Sequence, residues 1–356
     1  MQLTKAATLP SKPVPARCGL WLTVLVSIFA LGGRSAPATS QETIVLVGSG
    51  STVPGPLYTR WAQEYGKHTG NVQFRYLSVG TGEGIKQISH GAGDFAAGEA
   101  QLTDREKKDG GLLELPMVIV GIAPVYNLPE VDRELRLSGE VLASIFLGDI
   151  KMWNAPQIAR LNPDITLPNR AIHVINRPGG KGSNYVFTDF LSKVSPKFRA
   201  QIGVTASPIW PVGEVAERSS DMADKVKNTP DAIGFVEYQY ALKDKISLAA
   251  VLNPAGRFIK PSYESLSAAC RATEAPQWNK FSASLTNAAG ADSFPIASFS
   301  WIYLRLKSGE PARNAALGDL LNWMYGEGQR FATIEGYAEL PSPLLTEVRK
   351  KVRELQ

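Results

Sequence analysis

The sequence predicts an α/β fold built around a parallel sheet, and three observations point to it. A β-branched run, a glycine-rich turn and a helical stretch follow one another more than once, which is the signature of strand–turn–helix units. The 12-residue run Leu115–Tyr126 is almost wholly apolar and reads as a buried strand crossing between lobes. Of the 356 residues, 44% are hydrophobic and 20% charged, the balance of a globular chain with a real core.

The chain opens on a leader-like segment. Lys5, Lys12 and Arg17 precede the apolar run Leu20–Leu31, which is too short to span a bilayer, and Ala36-Pro37-Ala38 offers a small-residue cleavage site. Residues 1–38 are therefore expected to be a secretory signal; the alternative is a retained membrane anchor. A lipoprotein would need a cysteine just after the run, and Cys18 lies before it. Without Lys5, Lys12, Arg17 and Arg34 the 38 basic residues fall to 34, against 33 acidic ones. A near-neutral body gives no footing for nucleic acid or an anionic membrane. After cleavage Cys270 is the only cysteine, so no intrachain disulfide is expected, and Cys270 reads as a small buried residue. His68, His90 and His173 lack metal-like spacing and read as surface residues; no cofactor or metal is expected.

Along the rest of the chain, Thr43–Val47 reads as a strand ending in Gly48–Thr52, and Leu57–His68 as a helix with Leu57, Trp61 and Tyr65 on one face. Asn71–Val79 alternates like a strand and ends in Gly80–Gly84; Ile85–His90 is helical, and Asp94–Ala97 is a third strand. Beyond the apolar run, Leu142–Phe146 is helical, Gly148–Asn154 turns, and Ile172–Ile175 is a strand leading into Arg177-Pro-Gly-Gly-Lys-Gly-Ser183 and a helix over Tyr185–Ser192. Ala232–Val236 and Ala297–Leu304 read as strands, Ala315–Tyr325 and Leu344–Glu354 as helices. Trp153, Trp210, Trp278 and Trp323 read as core residues. No repeat or low-complexity tract interrupts the order.

The chemistry sits in three loops, Gly48–Thr52, Gly80–Gly84 and Gly179–Ser183. Each runs from a strand into a helix, exposes backbone N–H groups at a helix N-terminus and adds hydroxyls without bulk. None has the Walker spacing, so the pattern points to an oxyanion and not to a nucleotide. Arg177 beside the third loop offers a planar guanidinium that can hold two oxygens. Glu99 follows the third strand at the carboxyl edge of the sheet, where α/β proteins bind ligands. A carboxylate there accepts a hydrogen bond from a protonated oxyanion such as hydrogen phosphate and repels an anion without a proton, such as sulfate.

Gly48-Ser-Gly-Ser-Thr-Val-Pro54 with Leu57-Tyr58, Gly80-Thr-Gly-Glu-Gly-Ile-Lys-Gln87, Asp94-Phe-Ala-Ala97, Phe187-Thr-Asp-Phe-Leu-Ser-Lys193 and Ala232-Ile-Gly-Phe-Val-Glu-Tyr238 resemble the periplasmic phosphate-binding protein of phosphate ABC transporters. The resemblance covers nearly the whole chain after the leader. It implies the type II periplasmic binding protein fold: two α/β lobes joined by crossover strands, with phosphate sealed in the cleft between them. We expect lobe 1 to comprise 42–122 plus 293–356 and lobe 2 to comprise 123–292. The resemblance places the anion on Ser51, Thr52, Val53, Gly82, Glu99, Arg177, Lys181, Gly182 and Ser183. Thr52 matches a hydroxyl donor, Val53 an amide donor, Arg177 the family's arginine, and Gly182 and Ser183 the amide and hydroxyl that follow it. Gly82 stands where the family has a binding serine, Glu99 replaces an aspartate, Lys181 replaces a serine, and Gly179 stands where an aspartate usually braces the arginine. Lys181 pairs with Glu83 or Glu99 across the cleft, or reaches the anion itself.

The resemblance further implies a periplasmic, monomeric, non-enzymatic solute-binding protein that delivers phosphate, or a related oxyanion, to ABC transporter permease subunits. Two other classes were weighed. A phosphatase needs an activated nucleophile or a two-metal cluster, and the scattered histidines supply neither. A sensory or adhesive relative with weakened anion binding, or a binder of a phosphonate or phosphate ester, remains open because of Gly82, Glu83 and Lys181.

Overall fold

A computed structural model describes residues 43–273, 281, 283–306 and 310–355. The leader (1–38) and Trp278 lie outside the described residues. Twelve strands occur among those described: β1 (Ile44–Gly50), β2 (Val72–Ser78), β3 (Phe95–Gly98), β4 (Leu112–Tyr126), β5 (Arg136–Leu137), β6 (His173–Asn176), β7 (Glu214–Val215), β8 (Ala232–Glu237), β9 (Ser247–Leu248), β10 (Ala250–Leu252), β11 (Phe258–Ile259) and β12 (Ala297–Arg305).

The main sheet runs β2-β1-β3-β12-β4-β8-β6-β7, with β9 also on β4; β11, β10 and β5 form a small second sheet. β1 is parallel to β2 and β3, and β6 is parallel to β7 and β8, while β12 lies antiparallel between β3 and β4. The sheet is thus parallel towards both ends, where the strand–turn–helix units lie, and mixed at its centre. β4 explains how. Its first part, Leu112–Gly121, pairs with β12, and its last part, Ile122–Tyr126, pairs with β8. Every β4 residue except Leu113 is buried, as a continuous apolar strand covered on both faces requires. Pro116 has no N–H for the ladder, and the register with β12 slips there, leaving Met117 unpaired opposite Ser300 and Trp301.

The helices follow the turns. Gly55–His68 buries Leu57, Tyr58, Trp61 and Tyr65, the face expected from their spacing. Two helices begin earlier than the apolar pattern suggests, at Thr81 instead of Ile85 and at Gly182 instead of Tyr185. Their first turns hold Gly, Ser and Thr, so hydrophobic periodicity is silent there. The segments expected to be loops are largely helix N-termini.

Two aromatic clusters fill the interior on either side. Tyr58 stacks on Tyr76 at 4.4 Å with Phe95 beside them, and Phe187 stacks on Phe235 at 4.2 Å with Phe146 and Trp210 around them. Trp153 and Trp323 are buried and Trp210 is partly so. Cys270 is buried, and burial pushes its thiol up to about 12, which makes it inert. His68, His90 and His173 are exposed. No helix among the described residues is long and apolar enough to cross a membrane.

Candidate functional site

The site begins where β1 ends. Gly50 adopts φ +138°, and a Cβ there would strike the Ala97 carbonyl of β3, so only glycine allows the turn that follows. The turn carries Ser51, Thr52 and Val53 into the helix Gly55–His68. Ser51 N–H is tied to Ala97 O at 2.8 Å. Ser51 Oγ accepts from Val53 N–H at 3.0 Å and donates to Glu99 Oε2 at 2.6 Å.

Glu99 is the centre of this side. It is fully buried and takes three hydroxyls: Ser51 and Thr81 (3.2 Å) on Oε2, and Ser300 (3.0 Å) on Oε1. Ser300 stands at the register slip of β12, and its hydroxyl reaches Glu99 from there. Burial pushes Glu99 up to about 7; the Ser51 and Ser300 hydroxyls hold it back, and the charge of Glu237 adds to the rise.

The other side closes directly upon it. Gly182, the first residue of the helix Gly182–Val194, packs on the Glu99 carboxylate so tightly that a Cβ would run into Oε2 and into Thr81 Oγ1. Gly82 N–H donates to Gly180 O at 3.4 Å across the same seam. Arg177, five residues before Gly182 in the chain, is fully buried. Its Nη1 donates to Ser219 Oγ at 3.1 Å and stands 3.9 Å from Glu237 Oε1, and its Nη2 reaches Glu217 O at 3.5 Å. Trp210 Nε1 and Asn184 Nδ2 hold the Arg177-Pro178 carbonyls at 3.0 and 2.7 Å. Thr52 Oγ1 lies 3.4 Å from Ser219 Oγ, so the first loop meets the arginine through that serine.

Three side chains here are buried yet incompletely satisfied: Arg177 Nε, Ser183 Oγ and both oxygens of Glu237 have no hydrogen-bond partner. Buried polar groups are normally paired, so a cluster of them marks a place made for something else. The helices Thr81–Ser89, Gly182–Val194 and Ser219–Asn228 all begin at this cluster. Their N-terminal dipoles and the guanidinium suit negative charge. A cleft of about 740 Å³ adjoins it, lined by Thr52, Lys181, Glu217, Ser219 and Tyr240 among others.

Residues 35–327 match a family model described as the PBP superfamily domain. The chain is 37% identical over 329 residues to the phosphate-binding protein PstS of Pasteurella multocida (strain Pm70), covering 92% of this chain and 93% of that one. It is 36% identical to PstS of Haemophilus influenzae (strain ATCC 51907 / DSM 11121 / KW20 / Rd), covering 86% and 92%. The chain belongs to the PstS family of phosphate-binding proteins. Among solved structures it resembles a high affinity periplasmic phosphate-binding protein (PfluDING) bound with phosphate, with a TM-score of 0.69, 20% identity, and coverage of 86% of this chain and 93% of that one. That likeness shows the fold, the two-lobed binding-protein architecture.

Of the positions expected from the sequence, Ser51, Val53, Glu99 and Gly182 are linked directly across this seam, Thr52 reaches Arg177 through Ser219, and Ser183 is buried next to Gly182 in the same helix turn. The expected pairing of Lys181 needs correction, and the second loop differs in detail. The helix starts at Thr81, so Thr81 and Gly84 are buried and Gly82 is exposed, with its N–H on Gly180 O. The buried hydroxyl of this loop is Thr81. Lys181 pairs with neither Glu83 nor Glu99. Glu83 takes Gln87 at 3.0 Å and Lys86 at 4.0 Å on its own helix, and the partners of Glu99 are hydroxyls. Lys181 is half-buried on the cleft, where burial and the charge of Arg177 lower its pKa against the pull of Glu217. Sequence reasoning missed Thr81, Ser219, Glu237 and Ser300. Glu237 had a signal: it is the one acid closing the apolar strand Ala232–Val236. It supplies the countercharge that Gly179 cannot.

Proposed function

We propose that the protein binds inorganic phosphate, as hydrogen phosphate, outside the cytoplasm and presents it to the permease of an ABC transporter. The names of its close relatives and the architecture of the seam support the reading. The single observation that carries it is the buried Glu99 carboxyl, surrounded by hydroxyls and pressed on Gly182, the helix start that follows a buried Arg177 with a donor to spare. Arg177, Ser183, Thr52 and the amides of the helix N-termini hold the oxygens. Glu99 accepts a hydrogen bond from the protonated oxygen of hydrogen phosphate. The buried pair of Arg177 and Glu237, 3.9 Å apart with neither Glu237 oxygen hydrogen-bonded, is costly unless its hydrogen bonds are made, so the anion completes the set. The protein acts by binding and closing, as a monomer, without catalysis. The lobes are taken as 42–122 with 293–356, and 123–292. The basic, apolar leader fits export to the periplasm.

The test is calorimetry on ligand-free protein at pH 8. Heat with phosphate at micromolar concentration and none with sulfate supports the reading; no heat with phosphate removes it.

A second reading rests on the cleft of about 740 Å³, far larger than one phosphate. A phosphate ester or phosphonate would set its anion at Arg177 and its substituent against Thr59, Ser78 and Tyr240. Displacement of phosphate by glycerol phosphate at equal concentration would favour this reading.

A further inference from the structure

The carbonyl of Val53, on the first anion loop, is gripped by two donors. Tyr337 Oη donates to it at 2.7 Å and Gln239 Nε2 at 2.8 Å, and the same Gln239 amide donates to Tyr337 Oη at 2.9 Å. The phenol spends its single O–H on the carbonyl, and Gln239 Nε2, with both oxygens on the same side, shares an N–H between them. Gln239 sits in the first turn of the helix Tyr238–Asp244, two residues after Glu237, the acid that faces Arg177. Val53 itself is buried, and its N–H runs through Ser51 Oγ to Glu99. One chain of hydrogen bonds therefore leads from Gln239, on the half of the molecule that carries Arg177, to the carboxyl that reads the anion. Gly336, at φ +84°, makes the approach possible: a Cβ there would lie 2.8 Å from Gln239 Cβ.

We propose that Gln239 is a positioning residue that fastens the first anion loop to the opposite half of the molecule and so holds the closed, anion-bound state. The role rests on the oxyanion reading above. Gln239 touches no atom of the anion. It acts through the Val53 peptide, which cannot move away with the first lobe unless two bonds break. Its loss therefore weakens the closed state and leaves the encounter with the anion untouched.

The test compares wild type with Gln239→Met, which keeps the length and removes both donors, and with Tyr337→Phe, which removes one corner of the triangle. Phosphate dissociation followed by tryptophan fluorescence should accelerate about three- to tenfold in Gln239→Met, the range expected for a hydrogen bond lost. Association should stay within about twofold of wild type, and the Tm of ligand-free protein should be unchanged. Tyr337→Phe should show a smaller change of the same kind. Unaltered dissociation, or a fall in ligand-free Tm with no kinetic effect, overturns the proposal. Hydrogen exchange of the peptide spanning Ser51 to Gly55 decides independently of the ligand's identity. Faster exchange confined to that loop in Gln239→Met supports the fastening, and unchanged exchange rejects it. Should wild type fail to bind phosphate, the ligand assignment falls while the exchange comparison still judges Gln239.

Discussion

Ser183 is fully buried with a hydroxyl that bonds to nothing else in the protein. Such a group costs folding free energy, of order 1–3 kcal/mol, and recovers it only when an acceptor arrives. Ser183→Ala is therefore expected to raise the Tm of ligand-free protein slightly while phosphate affinity falls at least about fivefold. Differential scanning calorimetry beside titration calorimetry reads both, and a variant that loses stability and keeps affinity would refute the role. Glu99 makes the complementary case. Its pKa is raised from 4.5 to about 7, so its contribution to stability is full below the unfolded value and is lost as pH rises through about 7. The loss is on the order of 3 kcal/mol for a fully buried group. Glu99→Gln should flatten the pH dependence of Tm across that window. In wild type, sulfate binding should strengthen below about pH 7, where the neutral carboxyl donates a hydrogen bond to the anion instead of repelling it. Sulfate affinity that is flat from pH 5 to 8 would count against the assignment. Gly182 carries the seam by having no side chain. Gly182→Ala puts a methyl into the Glu99 carboxyl and Thr81, and overpacking of this kind costs about 1–3 kcal/mol. Phosphate affinity should drop about fivefold or more, measured by calorimetry, with the ligand-free fold intact by circular dichroism.

Among the elements, the helix Gly182–Val194 has the wrong residue at its start. Lys181 is the N-cap, its side chain makes no capping bond, and its charge faces the positive end of the dipole. Serine there would cap the helix and is worth about 0.5–2 kcal/mol. Lys181→Ser should thus raise Tm, while lowering phosphate affinity at low ionic strength and flattening its salt dependence. A salt dependence equal to wild type would show that Lys181 plays no part in attracting the anion. The same helix shows why its sequence was only half legible. Tyr185, Val186, Phe190 and their neighbours announce a helix by spacing, but Gly182, Ser183 and Asn184 carry no apolar signal, so the first turn reads as loop. Thr81 and Gly82 fail for the same reason. A shift of one residue in where a helix begins decides which of two adjacent side chains faces the site. β4 was legible nearly whole because burial on both faces leaves one uniform apolar run. That it changes partner between Gly121 and Ile122, and that β12 enters antiparallel, depends on contacts distant in sequence that no local pattern encodes.

At the scale of the molecule, β4 serves both halves of the sheet, and the anion loops of each half meet at its flank. The sequence showed the loops, because glycine, hydroxyl and strand-end position recur together. It did not show Ser219, Glu237 or Ser300: each is an ordinary residue whose role comes only from tertiary convergence on Arg177 or Glu99. That convergence brings Gly182 onto the Glu99 carboxylate from the other side of the seam. The most direct measurement is a crystal structure of the protein grown with phosphate. The account predicts one phosphate at the seam, with oxygens within hydrogen-bond distance of Arg177 and Ser183 and one oxygen on Glu99. Phosphate bound elsewhere, or held by Lys181 at the cleft mouth with Glu99 and Arg177 untouched, would contradict it.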